Sequence, residues 1–243
     1  MPRFFLDKAD ISDREATIIG GDAFHIARSL RMAVGDEITV SDGEGAVYSC
    51  RLTDIKDERC VAEICEKIEA VGELPIPVSL YMGYPKGDKL EVVIQKAVEL
   101  GAYEIIPFES SRCIKRPKAD RAEKQMQRFQ KIAEEAAKQC GRAILPRVRP
   151  TLSFAEMLKC AARADLSLFC YEDESKRSIK DLLESKDPRS IAVVVGSEGG
   201  FSPKEAEAIT SAGAVAVGLG PRILRCETAP EYILSAISYR FEL

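Results

Sequence analysis

The residues Ile191-Ala-Val-Val-Val-Gly-Ser-Glu-Gly-Gly-Phe-Ser-Pro-Lys-Glu205 pass from an unbroken aliphatic run through a glycine-rich turn into a helix start. Consecutive apolar residues without alternation predict a strand buried on both faces, as in parallel sheets covered by helices. Ser202 at the cap, Pro203 at the first helical position and Glu205 three residues past the cap form a capping box. A strand, a tight turn and a helix in such quick succession make one unit of an α/β sheet.

The same rhythm extends in both directions. Residues 78–82 are apolar and β-like; residues 88–100 place Leu90, Val93, Ile94, Ala97 and Leu100 at helical spacing, with Gly101 as the C-cap. Residues 103–108 predict a strand and 119–140 a long charged helix ending at Gly141. Strands follow near 165–171, 190–195 and 214–218, with helices near 153–162, 177–185, 203–212 and 230–241. The first ~70 residues differ, being rich in short alternating segments. Glu37-Ile-Thr-Val-Ser41, Ala46-Val-Tyr-Ser-Cys-Arg-Leu52 and Arg59-Cys-Val-Ala-Glu-Ile-Cys65 read as strands, the first two joined by the turn Asp42-Gly-Glu-Gly45. One helix is expected before them, capped by Asp22, with Phe24, Ile26, Ala27 and Leu30 inward. Such a segment suggests a small barrel. Val71-Gly-Glu-Leu-Pro-Ile-Pro77 reads as the linker. The expected fold is α/β in two domains (α+β overall), residues 1–72 and 73–243.

Composition narrows the function. With 243 residues, 46% apolar and 30% charged, the chain is expected to be globular. No apolar run approaches the roughly 20 residues of a membrane span. Asp7 interrupts the N-terminus before a signal-peptide core forms, so a soluble cytoplasmic protein is expected. The eight cysteines include no C-x-x-C pair and are expected to be reduced and mostly buried. With His25 as the sole histidine, His/Cys zinc sites are disfavoured and no metal is expected. No serine sits in G-x-S-x-G, which removes most hydrolase readings. The formal net charge is −4, yet residues 112–149 hold twelve Lys/Arg against four acids. That stretch reads either as a polyanion site or as a solvated helix face with intrahelical ion pairs.

Ligands of open α/β sheets bind at the carboxyl ends of strands. Three loops there carry chemistry. Gly196-Ser-Glu-Gly-Gly-Phe-Ser202 is neither G-x-G-x-x-G nor a P-loop; it is a ligand cradle or a structural turn. Gly218-Leu-Gly-Pro-Arg-Ile-Leu-Arg-Cys-Glu-Thr-Ala229 mixes apolar residues, two arginines and a glutamate, which suits an adenosyl-type ligand or an elaborate helix cap. Tyr84-Pro-Lys-Gly-Asp-Lys89 offers two lysines to phosphate, or is a surface turn.

Taken in order, Tyr84-Pro-Lys-Gly-Asp-Lys-Leu-Glu91, Gln95-Lys-Ala-Val-Glu-Leu-Gly101, Glu135-Ala-Ala-Lys-Gln139 with Arg142, and the two glycine-bearing loops resemble the ribosomal RNA small subunit methyltransferase E family of the SPOUT superfamily. Arg3-Phe-Phe and the His25, Leu30-Arg31, Gly35-Asp36 pattern match as well, so the resemblance covers essentially the whole chain. Ser197 stands where the family usually has proline, and Cys226 where threonine is common. The resemblance implies an N-terminal PUA-like β-barrel and a C-terminal SPOUT domain with a deep trefoil knot at about 190–243. It further implies a homodimer, S-adenosylmethionine as methyl donor, and methylation of uridine N3 in 16S rRNA of the small ribosomal subunit.

By that resemblance the donor is held by Tyr171, Gly196, Glu198, Gly199, Gly200, Leu219, Gly220, Ile223, Leu224, Thr228 and Ala229, with Cys170 and Glu172 beside Tyr171. Arg225 and Arg222 are the candidates for stabilising charge on the uracil oxygens, and Glu227 for a catalytic carboxylate. RNA contacts are expected from Arg3, Arg28, Arg31, Lys86, Lys89, Arg112, Lys115, Arg116 and Arg142. Two other classes are weighed. A donor-free RNA-binding protein of the same fold would predict a degraded glycine pattern, and a dehydrogenase would need the missing dinucleotide fingerprint.

Overall fold

The computed structural model describes residues 1–113, 122–172 and 178–243. Two units emerge: Met1–Glu73 with Ala137–Leu145, and Leu74–Ala136 with Pro146–Leu243. The sequence boundary after residue 72 therefore misses a short segment that returns to the N-terminal unit.

In that unit, β1 (Arg3–Phe5), β2 (Glu15–Ile19), β3 (Glu37–Ser41), β4 (Val47–Ile55) and β5 (Arg59–Ile68) form one sheet in the order β1-β3-β4-β5-β2. Only β1 and β3 run parallel. Phe4, Ile18, Ile38, Val40 and Leu52 fill its core. The 42–46 turn is held by Asp42, whose Oδ1 accepts from the N–H of Glu44 and Ala46 at 2.8 and 2.9 Å. Such side-chain-to-backbone bonds are why Asp-Gly dipeptides mark turns.

The helix between β2 and β3 departs from expectation. It begins at Gly20 as α1 (Gly20–Phe24) and continues as a π turn over His25–Ser29, where Leu30 N–H bonds to the His25 carbonyl. Ala23 and Ile26 are buried, while Phe24 is 54% and Leu30 42% exposed. The wider π turn moves later residues off the face that a 3.6-residue period assigns. Nor is Asp22 the cap: it pairs with Lys138 Nζ at 3.0 Å.

The returning segment is bound by Glu73. Its carboxylate accepts from Arg142 Nη2 at 2.6 Å and from the N–H of Ala143 and Ile144 at 2.9 Å each. Ser41 Oγ donates to the Ala143 carbonyl at 2.7 Å. Arg142 is 3% exposed. A guanidinium so buried needs its counter-charge, and it leaves the set expected to meet RNA.

The second unit contains β6 (Val78–Gly83), α2 (Lys89–Glu99), β7 (Glu104–Glu109), α3 (Ala122–Cys140, continuing into the returning segment), β8 (Arg147–Val148), β9 (Leu152–Ser153) and α4 (Phe154–Ala161). After these come β10 (Leu166–Cys170), α5 (Ile179–Glu184), β11 (Ile191–Val195), α6 (Pro203–Ser211), β12 (Val215–Val217) and α7 (Thr228–Phe241). The strands make a parallel sheet in the order β12-β10-β11-β6-β7-β8, with β9 also on β7. Every residue of β11 is buried, as its unbroken aliphatic run requires. Because the strands are parallel, the loops leaving β6, β10, β11 and β12 gather at one edge. Phe201 pins the loop after β11 there, stacked on Phe108 at 6.3 Å and edge-on to Phe169 at 6.1 Å.

Within the positive stretch, five of the described cations have carboxylate partners, four of them outside the stretch itself. Arg128 pairs with Glu91, Lys131 with Glu135 and Arg149 with Glu104, besides Lys138 and Arg142. No cysteine is in a disulfide; four are buried. Among the described residues, no helix is long and apolar enough to cross a membrane.

Candidate donor site

A cavity of about 420 Å³ opens at the carboxyl edge of β10, β11 and β12. Its lining includes the apolar Val195, Phe201, Leu219, Ile223, Leu224 and Ala229 and the charged Lys89, Glu198, Arg222 and Arg225. This mixture of apolar lining with a few charges is typical of small-molecule sites, and the volume falls within their usual range.

Close backbone approach explains the glycines. A Cβ on Gly83, at the end of β6, would stand 2.5 Å from the Ser197 amide nitrogen, and one on Gly196 would stand 3.0 Å from Gly200 Cα. The loop thus folds on itself against β6 with no room for a side chain at either glycine. Gly200 (φ +60°) and Gly220 (φ +95°) adopt left-handed conformations that a side chain would strain. The expected capping box is present: Ser202 Oγ accepts from Glu205 N–H, and Glu205 accepts from Ser202 N–H at 2.9 Å. Glu205 also accepts from Ser111 N–H at 2.7 Å, and Arg112 donates to the Gly199 carbonyl at 2.8 Å. Ser197 Oγ is buried with no hydrogen-bond partner.

Electrostatics centre on Lys89. Its Nζ lies 3.2 Å from Glu198 Oε1 and 3.2 Å from Glu227 Oε2, and 3.8 Å from Cys226 Sγ. Glu198 also accepts from Lys86 N–H at 3.1 Å, and the Cys226 thiol donates to Glu227 at 3.2 Å. Burial pushes both carboxyls upward, but backbone N–H groups and the Lys89 ammonium outweigh it and hold them below the usual carboxylate range. The carboxylates in turn raise Lys89, while burial pushes the Cys226 thiol up to about 12. At neutral pH the cluster is one ammonium, two carboxylates and a thiol.

The structure brings Tyr171, Gly196, Glu198, Gly200, Leu219, Gly220, Ile223, Leu224 and Ala229 to the cavity lining, along with Arg222 and Arg225. Gly199 and Thr228 stand off the lining. Glu227 does too, and its ion pair and lowered pKa make it a poor proton acceptor, against the role expected for it. Arg225 sits where its carbonyl accepts from the N–H of Thr228 and Ala229, so the first turn of α7 fixes its backbone. Lys89, expected to face phosphate, lines the cavity instead. Val195 and Phe201 went unassigned, although their places at the strand end and in the glycine loop marked them. Of the expected RNA contacts, Arg28 is exposed and paired with Asp57, Arg3 donates to the Arg142 carbonyl, and Arg31 and Lys86 are exposed. Lys115 and Arg116 lie outside the described residues.

A pocket of this size at the carboxyl edge of a parallel sheet, in a chain that also carries a β-rich unit, marks a small-molecule enzyme of the α/β class. Residues 72–238 match the family model described as an RNA methyltransferase domain, and residues 18–65 the RNA methyltransferase PUA domain. The chain is 39% identical to the ribosomal RNA small subunit methyltransferase E of Bacillus subtilis, covering 100% of this chain and 98% of that protein. It is also similar to the Neisseria gonorrhoeae ribosomal RNA small subunit methyltransferase E solved bound to S-adenosyl methionine (32% identity, TM-score 0.87, covering 98% and 97% of the two chains). A putative methyltransferase of Legionella pneumophila in complex with the same cofactor aligns with TM-score 0.87 at 26% identity, covering 98% and 96%. The chain belongs to the ribosomal RNA small subunit methyltransferase E family.

Proposed function

We propose that the chain methylates N3 of one uridine in the 16S rRNA of the small ribosomal subunit, with S-adenosylmethionine as donor. The observation that carries this reading is the glycine-walled cavity with Arg222 and Arg225 on its lining. The cavity fits the donor: apolar Leu219, Ile223 and Leu224 suit its adenine, and the backbone at Gly196 and Gly220 suits its polar edges. When bound, the donor supplies a methyl group activated by its sulfonium.

The protein must then place the uracil and stabilise the charge that builds on its oxygens as N3 loses its proton. Arg225 and Arg222 are assigned that role, since cations fixed in advance near developing charge need no reorganisation. Glu198 and Glu227 remain ionised beside Lys89, so neither has the raised pKa of an efficient base, and the proton passes to water or hydroxide. RNA phosphates are assigned to Arg28 and Arg31 in the N-terminal unit, and to Lys86, Arg112, Lys115 and Arg116 in the second.

The reading extends to the N-terminal unit as a PUA-like barrel, the second unit as a SPOUT domain with a trefoil knot near 190–243, and a cytoplasmic homodimer. Tyr232, Tyr239 and Ile223, exposed in the single chain, suit a dimer face. The deciding experiment is to map N3-methyluridine in 16S rRNA from cells lacking the gene, then restore it in vitro with purified protein and donor. An unchanged methylation map would overturn the proposal.

A further inference from the structure

We infer that Lys89 is a positioning residue of the donor pocket, its ammonium clamping the 196–202 loop to the loop that ends at Glu227. The inference rests on the donor reading above and assigns the lysine away from RNA.

Three observations carry it. An ammonium has three N–H donors, and Lys89 has three pocket acceptors within reach: Glu198 Oε1, Glu227 Oε2 and Cys226 Sγ. The two carboxylates already offset its charge, which weakens its draw on a phosphate. The two carboxylates come from different loops and converge on a single nitrogen at equal distances of 3.2 Å. Without the cation they are like charges facing each other at close range in a partly desolvated site, where their repulsion is stronger than in water. Finally, Glu198 accepts from Lys86 N–H, so the turn after β6 joins the same assembly. Lys89 also stands at the first position of α2, where the rigid helix fixes its backbone. The loops it joins both line the cavity, so the clamp sets the width of the donor's entrance.

The test compares Lys89→Met, Lys89→Arg, Glu227→Gln and the Lys89→Met/Glu227→Gln pair. The other charged groups on the cavity lining are Glu172, Arg222 and Arg225, besides Glu198. Donor binding is read by calorimetry with S-adenosylmethionine. Binding to a 16S rRNA fragment is read across a salt series, and amide exchange at 196–202 is followed in the ligand-free proteins. Lys89→Met should weaken donor binding about tenfold or more and speed exchange in the loop. Its RNA salt slope should match wild type. Adding Glu227→Gln should recover most of both losses, because it removes one of the opposed charges; a merely structural lysine gives no such rescue. Lys89→Arg should stay close to wild type.

The inference is overturned if Lys89→Met binds donor as wild type does while its RNA salt slope falls by about one, the mark of a lost phosphate contact. It is equally overturned if the double variant is no better than the single. Should Lys89→Met not fold, recovery of folding in the double variant supports the clamp and its absence counts against it. If the wild type itself binds no donor, the functional reading fails, while the exchange rates still decide the clamp.

Discussion

Arg225 and Ser197 sit on neighbouring loops and do opposite things for the molecule. Arg225→Ala should lower turnover by about a hundredfold, the usual scale for removing one donor to a developing charge, and change donor affinity little. Single-turnover kinetics beside calorimetry separate the two, and equal losses would place Arg225 in binding alone. Ser197→Ala removes a buried hydroxyl that has no partner, so it should leave stability unchanged or raise it by about 1 kcal/mol in urea unfolding. The place of Arg225 on the lining was legible, as a cation in an apolar glycine loop. Ser197 showed in the sequence only as a departure from the family's proline, with nothing to say that its hydroxyl would lack a partner. The place of Lys89 was not legible. A lysine beside Gly-Asp at a helix start reads the same whether it meets phosphate or carboxylate, and its partners Glu198 and Glu227 lie more than a hundred residues away.

At the scale of elements, the capping box of α6 links helix stability to the shape of the loop before it. Burial raises Glu205, but N–H groups of Ser111 and Ser202 and the Ser202 hydroxyl outweigh it and hold its carboxyl below the usual range. A carboxyl depressed by folding contributes stability above its unfolded pKa and loses it as pH falls through the lower folded value. The stability gap between wild type and Glu205→Gln should therefore be full at neutral pH and shrink once the pH drops below the ordinary glutamate range, as urea titrations across pH would show. Elements with long apolar periods, such as α2 and β11, were read correctly because burial imposes the pattern. The three-residue β1 carries too little pattern to see. In α1, the π turn after Phe24 breaks the very period on which the inward face was assigned.

At the scale of the whole chain, the segment Ala137–Leu145 completes a unit whose other residues end at Glu73. Glu73→Ala takes the carboxylate from buried Arg142 and from two backbone N–H groups, and should cost about 3–5 kcal/mol in urea unfolding of the full chain. The two-part organisation was half legible: the change of rhythm near residue 72 marked the boundary, but nothing in a helix that runs to Cys140 says that its end belongs elsewhere. Ser41, Gly43 and Glu73 all bond to residues in this segment. A ribosome making the chain in order, with N-terminal domains ordinarily maturing first, must here extrude residue 145 before the earliest-made part finds its last partners. The N-terminal unit is begun first and closed only after much of its successor has been synthesised.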